Sequence, residues 1–193
     1  MFVVKREEYE TLLDRLKLSV EMQEKSIDVY HRNNWERFIM HYNENSKYES
    51  PSYIDFFFDA KSVVNVLKSF LENESFQNCY IAPIYNDKYK LKVFDDDVCK
   101  DVYDELKRLL NSLGLKVNTS CAIKMCKEEL LMWFDRLSIG GFCGVSQYSI
   151  VIPEIDLLII PYHHMNYLLY SNSKEELLAK VTVDKLSEVL IQY

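Results

Sequence analysis

The chain is short of glycine and proline, with four of each in 193 residues, which leaves no room for a collagen-like, linker-rich or low-complexity chain. It has no long apolar run. Stretches such as Leu157-Leu158-Ile159-Ile160 fall far short of the roughly 20 residues a membrane-spanning helix needs. The start, Met1-Phe2-Val3-Val4, has no charged region ahead of an apolar one and so does not read as a secretory leader. A cytoplasmic protein with no membrane partner is expected.

It also lacks a block of Lys and Arg. The 23 basic residues are outnumbered by 30 acidic ones, for a net charge of −7, so nothing in the sequence is suited to neutralising a row of phosphates. Nucleic acid is therefore an unlikely partner. Paired cysteine spacing is missing too: Cys79, Cys99, Cys121, Cys126 and Cys143 are odd in number and contain no Cys-x-x-Cys, which points to reduced thiols rather than a disulfide framework. Also missing are the glycine-rich phosphate loop ending in Lys-Ser/Thr, Gly-x-Gly-x-x-Gly, Gly-x-Ser-x-Gly and His-Glu-x-x-His, the commonest local signatures of nucleotide binding, serine hydrolysis and zinc proteolysis.

What is present is a well-mixed globular composition, 48% hydrophobic and 27% charged, long enough for a hydrophobic core without staples. One domain over residues 1–193 is expected, with residues 1–50 as the one stretch that reads as an appended helix and loop. The apolar positions Tyr9, Leu12, Leu13, Leu16, Val20, Ile27 and Tyr30 share a helical stripe and predict one long helix from Arg6 to about Tyr30. Asn33 to Ser52 reads as a short element and an exposed loop. Tyr53 to Phe58, dense in aromatic residues, predicts a strand, and Val63 to Leu71 a helix.

Cys79–Tyr85 and Tyr89–Phe94 flank Asn86-Asp87-Lys88 and predict a hairpin. Asp95-Asp96-Asp97, the stripe Val98, Val102, Leu106 and Leu109, and then Gly114 delimit a helix by its caps. Leu115–Ile123 predicts a strand and Lys127–Leu137 a helix, followed by a loop carrying three of the four glycines, Gly140, Gly141 and Gly144. Tyr148–Ile152 and Leu157–Tyr162 predict a second hairpin around Pro153-Glu154-Ile155-Asp156, and Tyr167–Tyr170 a further strand. Ser173 to Leu190 reads as closing helices. The fold class is α+β, with a mostly antiparallel sheet of two hairpins and further strands packed with amphipathic helices.

Three constellations invite chemistry. Cys143 in the glycine loop, His163 or His164, and Asp156 supply the residue types of a thiol nucleophile, its base and an orienting carboxylate; the loop amides would then serve an oxyanion. This Cys-His hydrolase or transferase, or else a small-ligand sensor built on Gly140–Gly144, is the alternative reading. Cys121 and Cys126 with the two histidines match no standard zinc spacing, and Asp95–Asp97 are accounted for by helix capping, so neither a metal nor a cofactor is expected.

The remaining unusual feature is the aromatic content, 14 Tyr and 10 Phe, on an acidic chain. Tyrosine suits interfaces because it offers a large contact area, few rotamers and a polar tip. An AT-rich coding sequence would also enrich it. In general character an acidic, motif-free α+β chain resembles the immunity proteins of bacterial toxin systems, which neutralise a toxin by covering its site. That likeness is one of type and transfers no residue. The expectation is a non-enzymatic protein-binding module, a monomer or homodimer, that engages another protein such as a basic toxin through Tyr42, Glu44, Tyr48, Glu49 and Tyr53.

Overall fold

The computed structural model describes residues 1–18, 26–31, 53–84, 89, 91, 97–116, 120–162, 166–173, 175–177, 179 and 189–192. In chain order the elements are β1 (Phe2–Val4), α1 (Arg6–Leu16), β2 (Ser26–His31), α2 (Tyr53–Asn73), β3 (Asn78–Pro83), α3 (Asp97–Ser112), β4 (Ala122–Cys126), α4 (Lys127–Phe142), β5 (Tyr148–Ile152), a 3₁₀ turn (Pro153–Ile155), β6 (Leu157–Tyr162), β7 (Asn166–Tyr170) and β8 (Val189–Gln192). The fold is α+β, as the sequence predicts. The strands form one sheet in the order β1-β4-β3-β5-β6-β7-β2-β8, and every pairing in it is antiparallel.

Side-chain alternation divides the apolar residues between the two faces of this sheet. Ile81, Ile123, Met125, Ile150, Ile159, Tyr167 and Leu169 point to the larger cluster, where α2 supplies Val64, Leu67 and Leu71, α3 supplies Val102 and Leu106, and α4 supplies Leu130, Phe134 and Leu137. Ala82, Ala122, Val151, Leu158 and Ile160 point the other way, to Tyr9 and Leu18 of the α1 segment. Covered on both faces, β5 and β6 read as near-continuous apolar runs rather than alternating ones.

The hairpin β5–β6 and the strand β7 are found where the sequence places them, as is α3, whose end is marked by Gly114 in the left-handed region at φ 69°. Other elements differ from expectation. The first helix stops at Leu16, because Lys17 takes a left-handed φ of 53° and the N–H groups of Lys17 and Leu18 close onto the carbonyls of Asp14 and Leu13 at 3.1 Å each. This ending is usually marked by glycine and here is made by lysine. The stretch expected to continue the helix holds β2 instead, paired on both sides by β7 and β8.

Tyr53–Phe58 is the first part of α2 rather than a strand. The strand expected over Cys79–Tyr85 is found as β3, Asn78–Pro83, but its neighbours are β4 and β5, so no hairpin with Tyr89–Phe94 exists among the described residues. Tyr89 instead donates its phenol hydrogen to the Ile81 carbonyl at 2.8 Å. The strand expected over Leu115–Ile123 is formed later, as Ala122–Cys126. The chain's last described element, expected to be helical, is the strand β8. Asn33–Ser52, expected to hold a short element and an exposed loop, lies outside the described residues.

Candidate functional site

The expected glycine loop is not a loop at Gly140 and Gly141, which lie inside the last turn of α4. A Cβ on Gly141 would sit 2.5 Å from Cβ and 2.8 Å from the carbonyl oxygen of Pro161, and one on Gly140 would sit 2.9 Å from Leu106 Cδ1. The two glycines therefore let α4 close onto β6 and α3. Their conformation is helical, and the carbonyl of Gly140 accepts the Ser146 N–H at 3.3 Å while that of Gly141 accepts the Gly144 N–H at 3.0 Å. Only Gly144, at φ 68°, has the left-handed backbone of a turn.

Cys143 follows as the residue that ends α4, its N–H bonded to the Ile139 carbonyl at 2.9 Å. It sits at the C-terminal, partially negative end of the helix, whereas nucleophilic thiolates are favoured at the N-terminal end. Asp156 stands at the other end of the β5–β6 hairpin. Five residues of strand at about 3.3 Å each separate the Cys143 end from the Asp156 turn, roughly 17 Å. The structure does not bring the two together, and His163 and His164 lie outside the described residues.

Asp156 has a different set of partners. It occupies the left-handed region at φ 50°, which aspartate tolerates better than most residues. Its carboxylate accepts the Asn172 backbone N–H at 2.8 Å, the Asn172 side-chain amide at 2.8 Å and the Ser171 hydroxyl at 3.3 Å. The same Asn172 amide also donates to the Leu16 carbonyl at 2.6 Å. One carboxylate thus ties the β5–β6 turn to the exit of β7, and through Asn172 to the end of α1.

This latch forms one wall of an open cleft of about 310 Å³. Phe70 and Leu177 give it an apolar floor, and Glu74, Glu154, Asp156 and Glu176 supply four carboxyl groups around it. Glu154 accepts the Asn78 backbone N–H at 3.1 Å. Among the described residues, no Lys or Arg forms an ion pair with Glu154, Asp156 or Glu176. The lysine at this end, Lys127, donates to the carbonyls of Glu72 at 2.8 Å and Glu74 at 2.6 Å, and its Nζ lies 5.3 Å from the centre of the Phe76 ring. It supplies the cation that the last turn of α2 lacks.

The carboxylates line the cleft without converging on a point, and among the described residues no three His, Cys, Asp or Glu side chains gather as metal ligands. Their arrangement suits an extended cation entering over an apolar floor, the shape of a Lys or Arg side chain. The individual signals were visible in the sequence as the turn Pro153-Glu154-Ile155-Asp156 and the start of the closing helices at Ser173. Their meeting with Glu74 depends on strand order, which spacing does not reveal. Of the residues expected to meet a partner, Tyr42, Glu44, Tyr48 and Glu49 lie outside the described residues, and Tyr53 opens α2.

No helix among the described residues is long and apolar enough to cross a membrane. No family model, curated protein or solved structure matches the chain.

Proposed function

We propose that the protein is a non-enzymatic binding module for another protein, and that it receives a basic side chain of that partner in the cleft between α2, the β5–β6 turn and the exit of β7. The observation behind this reading is that Glu154, Asp156 and Glu176 line the cleft with no Lys or Arg ion-paired to them among the described residues, on a chain of net charge −7. A partner of opposite sign would be steered toward such a surface and associate quickly. Neutralisation of a basic toxin, within the cytoplasm, is the most concrete version. Tyr42, Glu44, Tyr48, Glu49 and Tyr53 are proposed as further contacts.

The reading is tested with an oligolysine peptide titrated against isotope-labelled protein, with an oligoglutamate peptide as control. Amide shifts should concentrate at Glu74, Glu154, Asp156 and Glu176 with the cationic peptide alone, and should weaken in the Glu154→Gln, Glu176→Gln variant. Shifts spread evenly over the acidic surface, or undiminished in the variant, would discard the cleft. Turnover of a thiol-dependent ester or amide substrate that is lost in Cys143→Ala would favour the enzyme instead.

A further inference from the structure

We propose that a groove beside α1 docks an acidic peptide segment of a partner, taking one of its carboxylates between Arg15 and Lys124 and a neighbouring apolar side chain on Phe2. The groove has a volume of about 280 Å³ and shares no residue with the acidic cleft.

Its sheet wall follows from strand register. Phe2 of β1 pairs with Lys124 of β4, and Lys124 with Tyr80 of β3, so the three side chains stand in a row across three strands, on the face that Val4 shares with α1. The Lys124 Nζ lies 5.4 Å from the centre of the Phe2 ring and 5.5 Å from that of Tyr80. Two rings thus brace the lysine, and its ammonium is positioned before any ligand arrives, which lowers the ordering cost of binding. The opposite wall is the flank of α1, where Glu8, Leu12 and Arg15 recur at helical spacing. Val4 and Leu12 are buried at the floor, whereas the Phe2 ring is left 55% exposed.

Charge complementarity selects the occupant. Arg15 and Lys124 set two cations against the single carboxylate of Glu8, an excess of one positive charge on a chain of net charge −7. Among the described residues, none of the three takes part in an ion pair. Contact with two rings leaves the Lys124 charge in place, and Glu8 stands two helical turns, about 10 Å, from Arg15 along α1. A carboxylate entering at the Arg15 end therefore meets unpaired cations. An inorganic anion would leave Phe2 uncovered, whereas a peptide with an apolar residue beside its carboxylate covers both. The groove is open along its length, and sites for free small molecules enclose most of their ligand, so a side chain carried on a larger partner suits it better.

The test is a titration of isotope-labelled protein with a blocked peptide alternating Glu and Phe, read by amide shifts. Saturable shifts should gather at Phe2, Thr11, Arg15 and Lys124, and a blocked peptide alternating Lys and Phe should leave these residues unmoved. Arg15→Gln, an exposed change in the last turn of α1, should raise the dissociation constant about fivefold. Glu8→Gln, which removes the one like charge, should lower it about twofold. Amide spectra that match wild type away from the groove show that both variants are folded. Shifts that do not saturate, an equal response to both peptides, or an affinity that Arg15→Gln does not lower or Glu8→Gln does not raise, overturns the proposal. Shifts at the same residues that grow with protein concentration alone would assign the groove to a second copy and overturn it too. The acidic cleft is read at other residues with a peptide of the opposite charge, so either reading can fail without the other.

Discussion

Tyr9 on α1 and Ser149 on β5, 140 residues apart in the chain, share a 2.9 Å hydrogen bond between their hydroxyl groups, buried beneath α1. Ser149 also lies 3.4 Å from the Ala82 carbonyl on β3, so α1 is fastened to two strands of the sheet through one polar contact in an apolar layer. Tyr9→Phe should cost about 1 kcal/mol in denaturant unfolding, the usual net worth of such a bond. Adding Ser149→Ala should cost less than the two single changes summed, because both remove the same contact. Strict additivity would show that the two hydroxyls are not coupled.

Burial raises the Tyr9 phenol from 10.0 to about 12, against smaller lowering effects of the Ser149 bond and Arg6. Burial likewise pushes Tyr89, Tyr148 and Tyr167 well above the ordinary value. A group whose folded value is raised holds its proton more tightly in the fold. Its contribution is complete below the unfolded value and fades as pH rises toward the folded one. Stability should therefore be unaffected by these groups at neutral pH and fall from about pH 10 upward. Phenolate absorbance should show these four rings ionising together with unfolding rather than before it. Smooth ionisation of all 14 near pH 10 in a folded protein would contradict it.

Gly141→Ala and Gly114→Ala separate two reasons for a glycine. The first sets a methyl 2.5 Å from Pro161 and must push α4 off β6, an overpacking cost of about 1–3 kcal/mol. The second meets nothing within 4 Å but holds φ at 69°, which costs an L-residue about 1 kcal/mol. Thermal melts should rank Gly141→Ala as the more damaging.

Asp156→Asn retains the tolerance for a left-handed backbone but loses the charge that three donors share. It should destabilise by about 1–2 kcal/mol. Amides at Asn172 and around Leu16 should show faster hydrogen exchange, since the latch joins both.

No two of the five cysteines are joined in a disulfide; Cys79 and Cys99 are buried and Cys121, Cys126 and Cys143 half-buried. A reductant should leave the melting temperature unchanged. A drop of several degrees would expose a crosslink between molecules.

How much of this was legible in the sequence depends on whether the deciding signal was local. α3 was legible because its acidic start and Gly114 are local stop signals, and the β5–β6 hairpin because its turn residues are. β2 was not: Ile27 and Tyr30 fit the helical stripe of α1, and the residue that breaks it, Lys17, carries no glycine-like warning. Tyr53–Phe58 is rich in strand-forming residues, but α2 as a whole packs against α4 and β2, and that tertiary contact outweighs the local preference. Gly140 and Gly141 resemble a helix stop and are instead what lets a helix touch a strand. The cleft was least legible, since its four carboxylates come from three separate stretches of chain.

The position of β2 also governs the order in which the molecule can assemble. Its two neighbours, β7 and β8, begin at residues 166 and 189, whereas β2 begins at residue 26. During synthesis this strand has nothing to pair with until nearly the whole chain has emerged, and closing so long a loop is slow. Folding should run from the middle outward, with β3, β4, β5 and β6 joining first around α4. For most of that time β2 waits as an unpaired strand, the segment on which a ribosome-bound chaperone would have most to hold.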